Sequence, residues 1–230
     1  MFGRKKKQPV TGAADPAPAA PEPAAGDGRE DPKGPRDAAR VPDREGYLDL
    51  GALLVKPRPG LGVRLEIDER SQRPRAVALD LGGGSVQVQA FAAPRSEGLW
   101  DEVRRELVQS LREGEGEPTV EEGPFGLQVL TRFPATASDG TRGYRLARFV
   151  GVDGPRWFVR AVFTGTAAVA DEAGELEEVV RELLVVRGED PMPPRDLIPL
   201  TVPEGAVRRP AGEEPPAAPP RRGPEITEIG

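Results

Sequence analysis

Cysteine and histidine are both absent from the 230 residues of this chain. Without histidine the chain lacks the side chain whose unperturbed pKa lies nearest neutrality, the usual general base and a frequent metal ligand. Without cysteine it lacks thiolate nucleophiles, disulfides and soft metal sites. The two absences exclude Ser-His-Asp and Cys-His catalysis, thiol-redox motifs and nearly all zinc chemistry. Carboxylate, lysine, tyrosine, serine and threonine chemistry remains open. Aromatics are scarce, with two tryptophans, two tyrosines and seven phenylalanines. No apolar run approaches the roughly 20 residues that span a bilayer as a helix.

The start, Met1-Phe2-Gly3-Arg4-Lys5-Lys6-Lys7, is basic but runs into Gln8-Pro9 and an Ala/Pro tract. That tract is no apolar signal core, so export is not expected. Phe2 stands where myristoylation needs glycine. The expected location is cytoplasmic. The short arm Arg4, Lys5, Lys6 and Lys7 is a candidate contact for an anionic partner, either nucleic acid or a membrane surface.

Glycine (28) and proline (27) together approach a quarter of the chain. Residues 1–45 hold eight prolines and residues 204–230 hold six, and neither flank has a hydrophobic period. Both read as disordered tails, unable to offset the entropy of ordering. Residues 46–203 then form one folded domain with 25 acidic and 19 basic residues, a net charge of −6. A body of that charge is a poor generic binder of phosphate backbones.

Within it, hydrophobic periods predict strands at 47–55, 63–67, 75–81 and 86–91. An amphipathic helix comes next, with Trp100, Val103, Leu107 and Leu111 on one face and Ser96 near its cap. Strands at 119–122, 125–133, 143–152 and 156–164 succeed it, with Asp153-Gly154 as a hairpin turn signal. A second helix is expected from about 172 to 186. Pro191–Leu200 reads as an extended arm packed on the domain. Tight turns make neighbouring strands antiparallel. The expected fold is therefore α+β: a twisted, mainly antiparallel sheet of about six to eight strands carrying two amphipathic helices.

Two segments carry a resemblance. Phe91-Ala-Ala-Pro-Arg-Ser96 runs into Leu99-Trp-Asp-Glu-Val-Arg104, and Gly151-Val-Asp-Gly-Pro-Arg-Trp-Phe-Val-Arg160 continues to Gly165. With Met1-Phe2-Gly3-Arg4 and Pro191-Met-Pro-Pro-Arg195, they resemble an actinobacterial family known as domain of unknown function 3710. The resemblance implies a bacterial, cytoplasmic protein and carries over no activity, ligand or catalytic residue.

Candidate sites have to be read from the residues. Asp80-Leu-Gly-Gly-Gly-Ser85 is similar to the phosphate loop of actin-like ATPases, where glycine-freed amides cradle phosphate. A glycine hairpin explains the same residues, and the chain is too short for two such lobes. Arg156, Trp157, Phe158 and Arg160 form a candidate partner surface. Trp157 and Phe158 point to opposite faces of a strand and cannot share one core, and aromatic and arginine residues dominate binding hot spots. Trp100 reads as helix core. Arg142, Arg145, Arg148, Arg156 and Arg160 lie on one predicted hairpin but divide between its faces, where solvated pairing with acids is the simpler reading.

The acids Glu113, Glu115, Glu117, Glu121 and Glu122, and Asp171, Glu172, Glu175, Glu177 and Glu178, lack calcium-loop spacing and read as solvated faces. No catalytic residue, cofactor or metal is singled out. The expectation is a non-enzymatic binding or adaptor domain acting on a protein partner, of unspecified oligomeric state. The alternatives are a nucleic-acid accessory protein using the basic arm and the arginine hairpin, and an enzyme using carboxylates or Lys56.

Overall fold

In the computed structural model, residues 34–95, 97–114, 116–136, 140–169 and 172–203 are described. In chain order the elements are β1 (Arg36–Asp37), β2 (Leu48–Asp49), β3 (Leu53–Val55), β4 (Gly62–Ile67), β5 (Pro74–Leu81), β6 (Gly84–Ala92) and α1 (Trp100–Glu113). Then come β7 (Thr119–Gly123), β8 (Gly126–Thr136), β9 (Arg142–Gly154), β10 (Trp157–Gly165), α2 (Gly174–Glu182) and β11 (Leu184–Val185). Seven strands form one antiparallel sheet in the order β4-β5-β6-β10-β9-β8-β7. The architecture is α+β, as the hydrophobic periods predict. Among the described residues no helix is long and apolar enough to cross a membrane.

Alternation gives this sheet two buried faces. Val77, Leu79, Val86, Val88, Val150, Val152, Trp157, Val159 and Phe163 point to one side. They meet Leu176, Val179 and Val180 of α2 and a small second sheet, ordered β1-β11-β3-β2. Phe91, Val129, Phe149 and Phe158 point to the other side, where Trp100, Val103, Leu107 and Leu111 of α1 cover them. The result is three layers, with the main sheet in the middle.

Gly82 and Gly83, at φ +60° and +84°, form the two-residue turn between Leu81 and its partner Gly84. Two consecutive positive φ values are what a right-twisted hairpin requires, and glycine adopts them freely. Asp80 beside this turn holds Arg64 through two hydrogen bonds, 2.8 and 3.1 Å. The glycine run of Asp80–Ser85 is thus a hairpin turn.

Four expectations change. The strand expected over 47–55 is broken at Gly51 (φ +81°), whose N–H donates to the Asp49 side chain, and its halves pair in the small sheet. The second helix stops at Glu182. Leu183, Leu184 and Val185 are all buried, which one helix face cannot achieve, and Leu184–Val185 instead pairs with β1 and β3. The fold also begins earlier than residue 46. Ala38 is buried, and the Asp37 carboxylate accepts a 3.0 Å bond from the Trp157 indole N–H. Finally, the turn near Asp153-Gly154 lies at Pro155-Arg156, with Arg156 at φ +64°, because Gly154 pairs with Trp157.

Asp153 is thereby free for another task. Leu99 at the start of α1 offers no capping side chain, so the Asp153 carboxylate accepts from Leu99 N (2.6 Å) and Trp100 N (3.2 Å). Ser96 lies outside the described residues. The arm is packed as expected: Ile198 is buried, and residues 195–198 bond to Ala90 and Ala92 of β6.

Beneath α2 lies a charge with no contact to water. Arg148 is fully buried, with Nη1 2.7 Å from Glu177 Oε1 and Nη2 donating to the Ala167 carbonyl at 3.2 Å. The Gln128 side chain accepts a further 3.2 Å bond, and the Phe163 ring lies 4.4 Å below the guanidinium. Arg148 and Glu177 are therefore interior residues, whereas their sequence context predicts solvated positions.

Removing one partner of a buried pair leaves the other uncompensated. Glu177→Ala is expected to lower the unfolding free energy by about 3–5 kcal/mol in urea titrations, whereas the double change Arg148→Met/Glu177→Leu restores much of it. Asp153 gives a pH signature. Desolvation where its carboxylate meets α1 raises its pKa, against the lowering effect of the two N–H bonds. The folded chain therefore holds this proton more tightly than the unfolded one. Its stabilising contribution is complete below the unfolded value of about 3.9 and is lost as pH rises through the higher folded value. Relative to Asp153→Asn, the natural chain should lose stability as pH rises through that window. Asp153→Ala should cost about 1 kcal/mol at neutral pH through the lost cap.

Candidate functional site

The second signature segment, Gly151 to Phe158, is mostly a device for seating α1. A Cβ at Gly151 would lie 2.2 Å from the Trp100 indole, so the missing side chain is the seat of that ring. Phe158 then stacks between Trp100 and Phe91, with ring centroids 6.1 and 5.9 Å away. Trp157 points the other way, under the small sheet, with its N–H on Asp37. Each ring is 2% exposed. Neither Trp157 nor Phe158 is a free partner surface, because the sheet is covered on both sides at this point. The two faces inferred from the strand period are two cores. Trp100, expected in the core, is buried there.

The remaining members of that candidate surface differ from each other. Arg156 sits in the hairpin turn, and its guanidinium donates to the Gly188 carbonyl at 3.2 Å. Arg160 lies on the same side as Phe158, one step beyond the edge of α1. There a cavity of about 160 Å³ opens, walled by Phe91, Leu99, Val103 and Phe158, with Arg160 and Arg195 at its polar side.

Arg160 stands over the Phe91 ring, 5.7 Å from its centroid, and its Nη2 donates to the Gln89 side chain. Gln89 is held in turn, donating to the Arg75 carbonyl at 3.2 Å. Arg160 Nε is buried and has no acceptor among the described residues. Among the described residues no carboxylate lies within ion-pair distance of this guanidinium. Burial pushes its pKa below the ordinary value, and the like charge of Arg75 lowers it further.

A break in the sheet explains Arg75. Glu66 pairs with Ala76 but Ile67 pairs with Pro74, so Arg75 is the extra residue of a bulge. Such bulges re-aim a side chain. Arg195, by contrast, has its charge matched. It grips Glu106 through two bonds of 3.1 and 3.0 Å and Glu102 at 2.9 Å, and these contacts raise its pKa.

Other candidates scatter. Arg4, Lys5, Lys6 and Lys7, Glu115 and Asp171 lie outside the described residues. Arg142 and Arg145 are exposed, while Arg148 of the same hairpin is interior. Glu113, Glu117 and Glu121 each meet a separate partner: Gln109, Arg132 and Gln128. Lys56 is exposed after β3. A larger open groove of about 580 Å³ runs between α1 and the edge strand β7, past Arg104, Arg105, Arg112 and Val120. Arg104 is held there by Asp101 at 2.7 Å. Sequence reasoning misses Phe91, Gln89, Arg75 and Arg195 as site residues. Phe91 leaves one trace, an aromatic at a polar-face position of its strand, which requires cover.

Comparison with known proteins adds two structural likenesses. No curated protein matches. A crystal structure from Bacteroides thetaiotaomicron VPI-5482 is 18% identical over 62% of this chain and 48% of that one, with a TM-score of 0.34. The chain spans about half the length of that protein. The solution structure of cyanobacterial PsbP (CyanoP) from Synechocystis sp. PCC 6803 is 10% identical over 59% of this chain and 87% of that one, with a TM-score of 0.31. A family model matches far more of the chain. It runs from residue 34, where the described fold begins, to residue 209, and so includes β1, the seat of α1 and the Arg160 cavity. The chain therefore belongs to the family described as "Protein of unknown function (DUF3710)".

Proposed function

We propose that this chain is a non-enzymatic binding domain that engages a protein partner through the α1 side of its main sheet, centred on Arg160. The observation that carries this reading is a guanidinium whose charge is unmatched among the described residues, set over the Phe91 ring at the edge of α1. A partly desolvated charge without a counter-charge costs a folded chain stability, and a partner that supplies the counter-charge recovers it.

The surroundings suit a protein. The helix covers only part of this face. Beyond it, β4, β5 and β6 present Arg64, Glu66, Asp80, Gln87 and Gln89 around Ala76 and Ala78, already joined by hydrogen bonds such as Arg64 to Asp80. Leu197, 39% exposed, pairs with Phe91 at the rim. An arginine and aromatic centre within a mixed polar rim is the composition of a protein hot spot. Nucleic acid fits less well. Glu66, Asp80, Glu102 and Glu106 flank the same face, and the hairpin arginines are divided between the interior and two surfaces.

A photoreactive amino acid placed at Leu197 in the full chain tests this. The expected result is one dominant protein adduct in native cells, lost with Arg160→Gln and kept with Arg132→Gln. The same adduct from the distant, exposed Tyr144, or an adduct indifferent to Arg160→Gln, would overturn the proposal.

A further inference from the structure

We infer that the cavity beside α1 is a carboxylate-binding site, in which Arg160 takes the anion and Phe91, Leu99, Val103 and Phe158 take a compact apolar body attached to it. The inference rests on the binding face proposed above and names the chemistry that face recognises.

Two buried arginine nitrogens in the described residues lack an acceptor, Arg148 Nε and Arg160 Nε. The difference between them identifies the site. Arg148 has its charge matched by Glu177 and lies sealed under α2. Arg160 has no carboxylate partner among the described residues, stays partly accessible and borders a cavity. Its orientation is held by Gln89, whose oxygen accepts from Nη2 while its nitrogen is anchored on Arg75 O. The guanidinium is thus positioned in advance, which reduces the ordering cost of binding. The bulge at Arg75 adds a second positive charge near the first, an arrangement that disfavours the empty site and favours an anion.

Size and charge narrow the ligand. At about 160 Å³ the cavity is smaller than the roughly 300 Å³ at which drug-sized pockets begin, so it takes a small group. The planar fork of a guanidinium matches a carboxylate. A phosphate dianion would lie near Glu102 and Glu106 on α1, with Arg195 already committed to both. Apolar walls on the remaining sides favour an anion carried on a small hydrocarbon body.

The shared chemistry has two sources, a free small acid or an acidic side chain of the protein partner. Benzoate is the probe for both. Titrated into the full chain and followed by amide NMR, it should shift Gln89, Phe91, Val103 and Phe158 and saturate in the millimolar range. Neutral benzyl alcohol and inorganic phosphate should bind at least tenfold more weakly. Arg160→Gln should abolish saturation. Val103→Trp, which fills the cavity and leaves the arginine intact, should do the same, with both variants keeping the dispersed amide spectrum of the folded chain. Equal binding of benzyl alcohol, or saturation unchanged in a folded Arg160→Gln, would overturn the inference.

Benzoate added to the Leu197 photocrosslinking experiment separates the sources. Competition assigns the carboxylate to the partner, and an adduct that persists while benzoate binds assigns it to a free acid. Absence of any adduct with intact benzoate saturation would remove the protein-partner reading and leave the carboxylate site standing.

Discussion

The ion pair between Arg148 and Glu177 is the constraint on which the layering rests. An arginine in the middle of a sheet face cannot be left unpaired when a helix closes over it, because a lone buried charge is far more costly than a paired one. Satisfying it fixes the position of α2, the Ala167 turn, β8 through Gln128 and β10 through Phe163 at the same time. The placement of α2 in turn sets the course of the chain beyond it. Leu183 to Val185 continue directly from the helix and are buried on both sides, which creates the small sheet with β1 and β3. That sheet delivers Asp37 to the indole of Trp157. One charge thus connects, in steps, the centre of the main sheet to a segment near the start of the fold.

The signature around residues 151–158 has a different meaning from the one its composition suggests. Tryptophan and phenylalanine beside arginine resemble a contact surface. In the fold they belong to the joint between α1 and the sheet: a glycine that admits an indole, a carboxylate that caps a helix, and two rings turned to opposite cores. The residues proposed to bind lie at the margin of that joint. This is an ordinary arrangement for a recognition site, since a rigid packed centre holds the exposed groups at its edge in fixed positions.

Much of the main sheet is legible in the sequence because long strands repeat their signal. The alternation Val86, Val88, Ala90 against Gln87, Gln89, Phe91 assigns both faces of β6 without reference to any neighbour. Two-residue strands such as β1 and β11 have no period to read, so of the small sheet only the 47–55 segment that holds β2 and β3 leaves a trace, and the early start of the fold leaves none. Glu177 reads as solvated because its acidic neighbours give the whole segment that look. Arg148 does carry a clue: it shares strand parity with Val150 and Val152, and a charge on an apolar stripe requires a partner. Nothing local marks Arg75 as a bulge residue. The cavity is illegible for a related reason, because its walls come from β6, α1, β10 and the arm, which are brought together only by folding.

The cap on α1 has a consequence for the order in which the chain assembles. The carboxylate that satisfies the first helical N–H groups comes from Asp153, 54 residues after the Leu99 it bonds, and the seat for Trp100 is a glycine on the same strand. A helix of 14 residues with no capping side chain of its own is marginal in water. It acquires both its cap and its docking surface only once β9 and β10 have paired. α1 therefore has its start governed by a hairpin distant in sequence. The same dependence makes it an early element to loosen when the sheet is disturbed. One wall of the Arg160 cavity thus stands on a helix whose cap and seat both lie on β9.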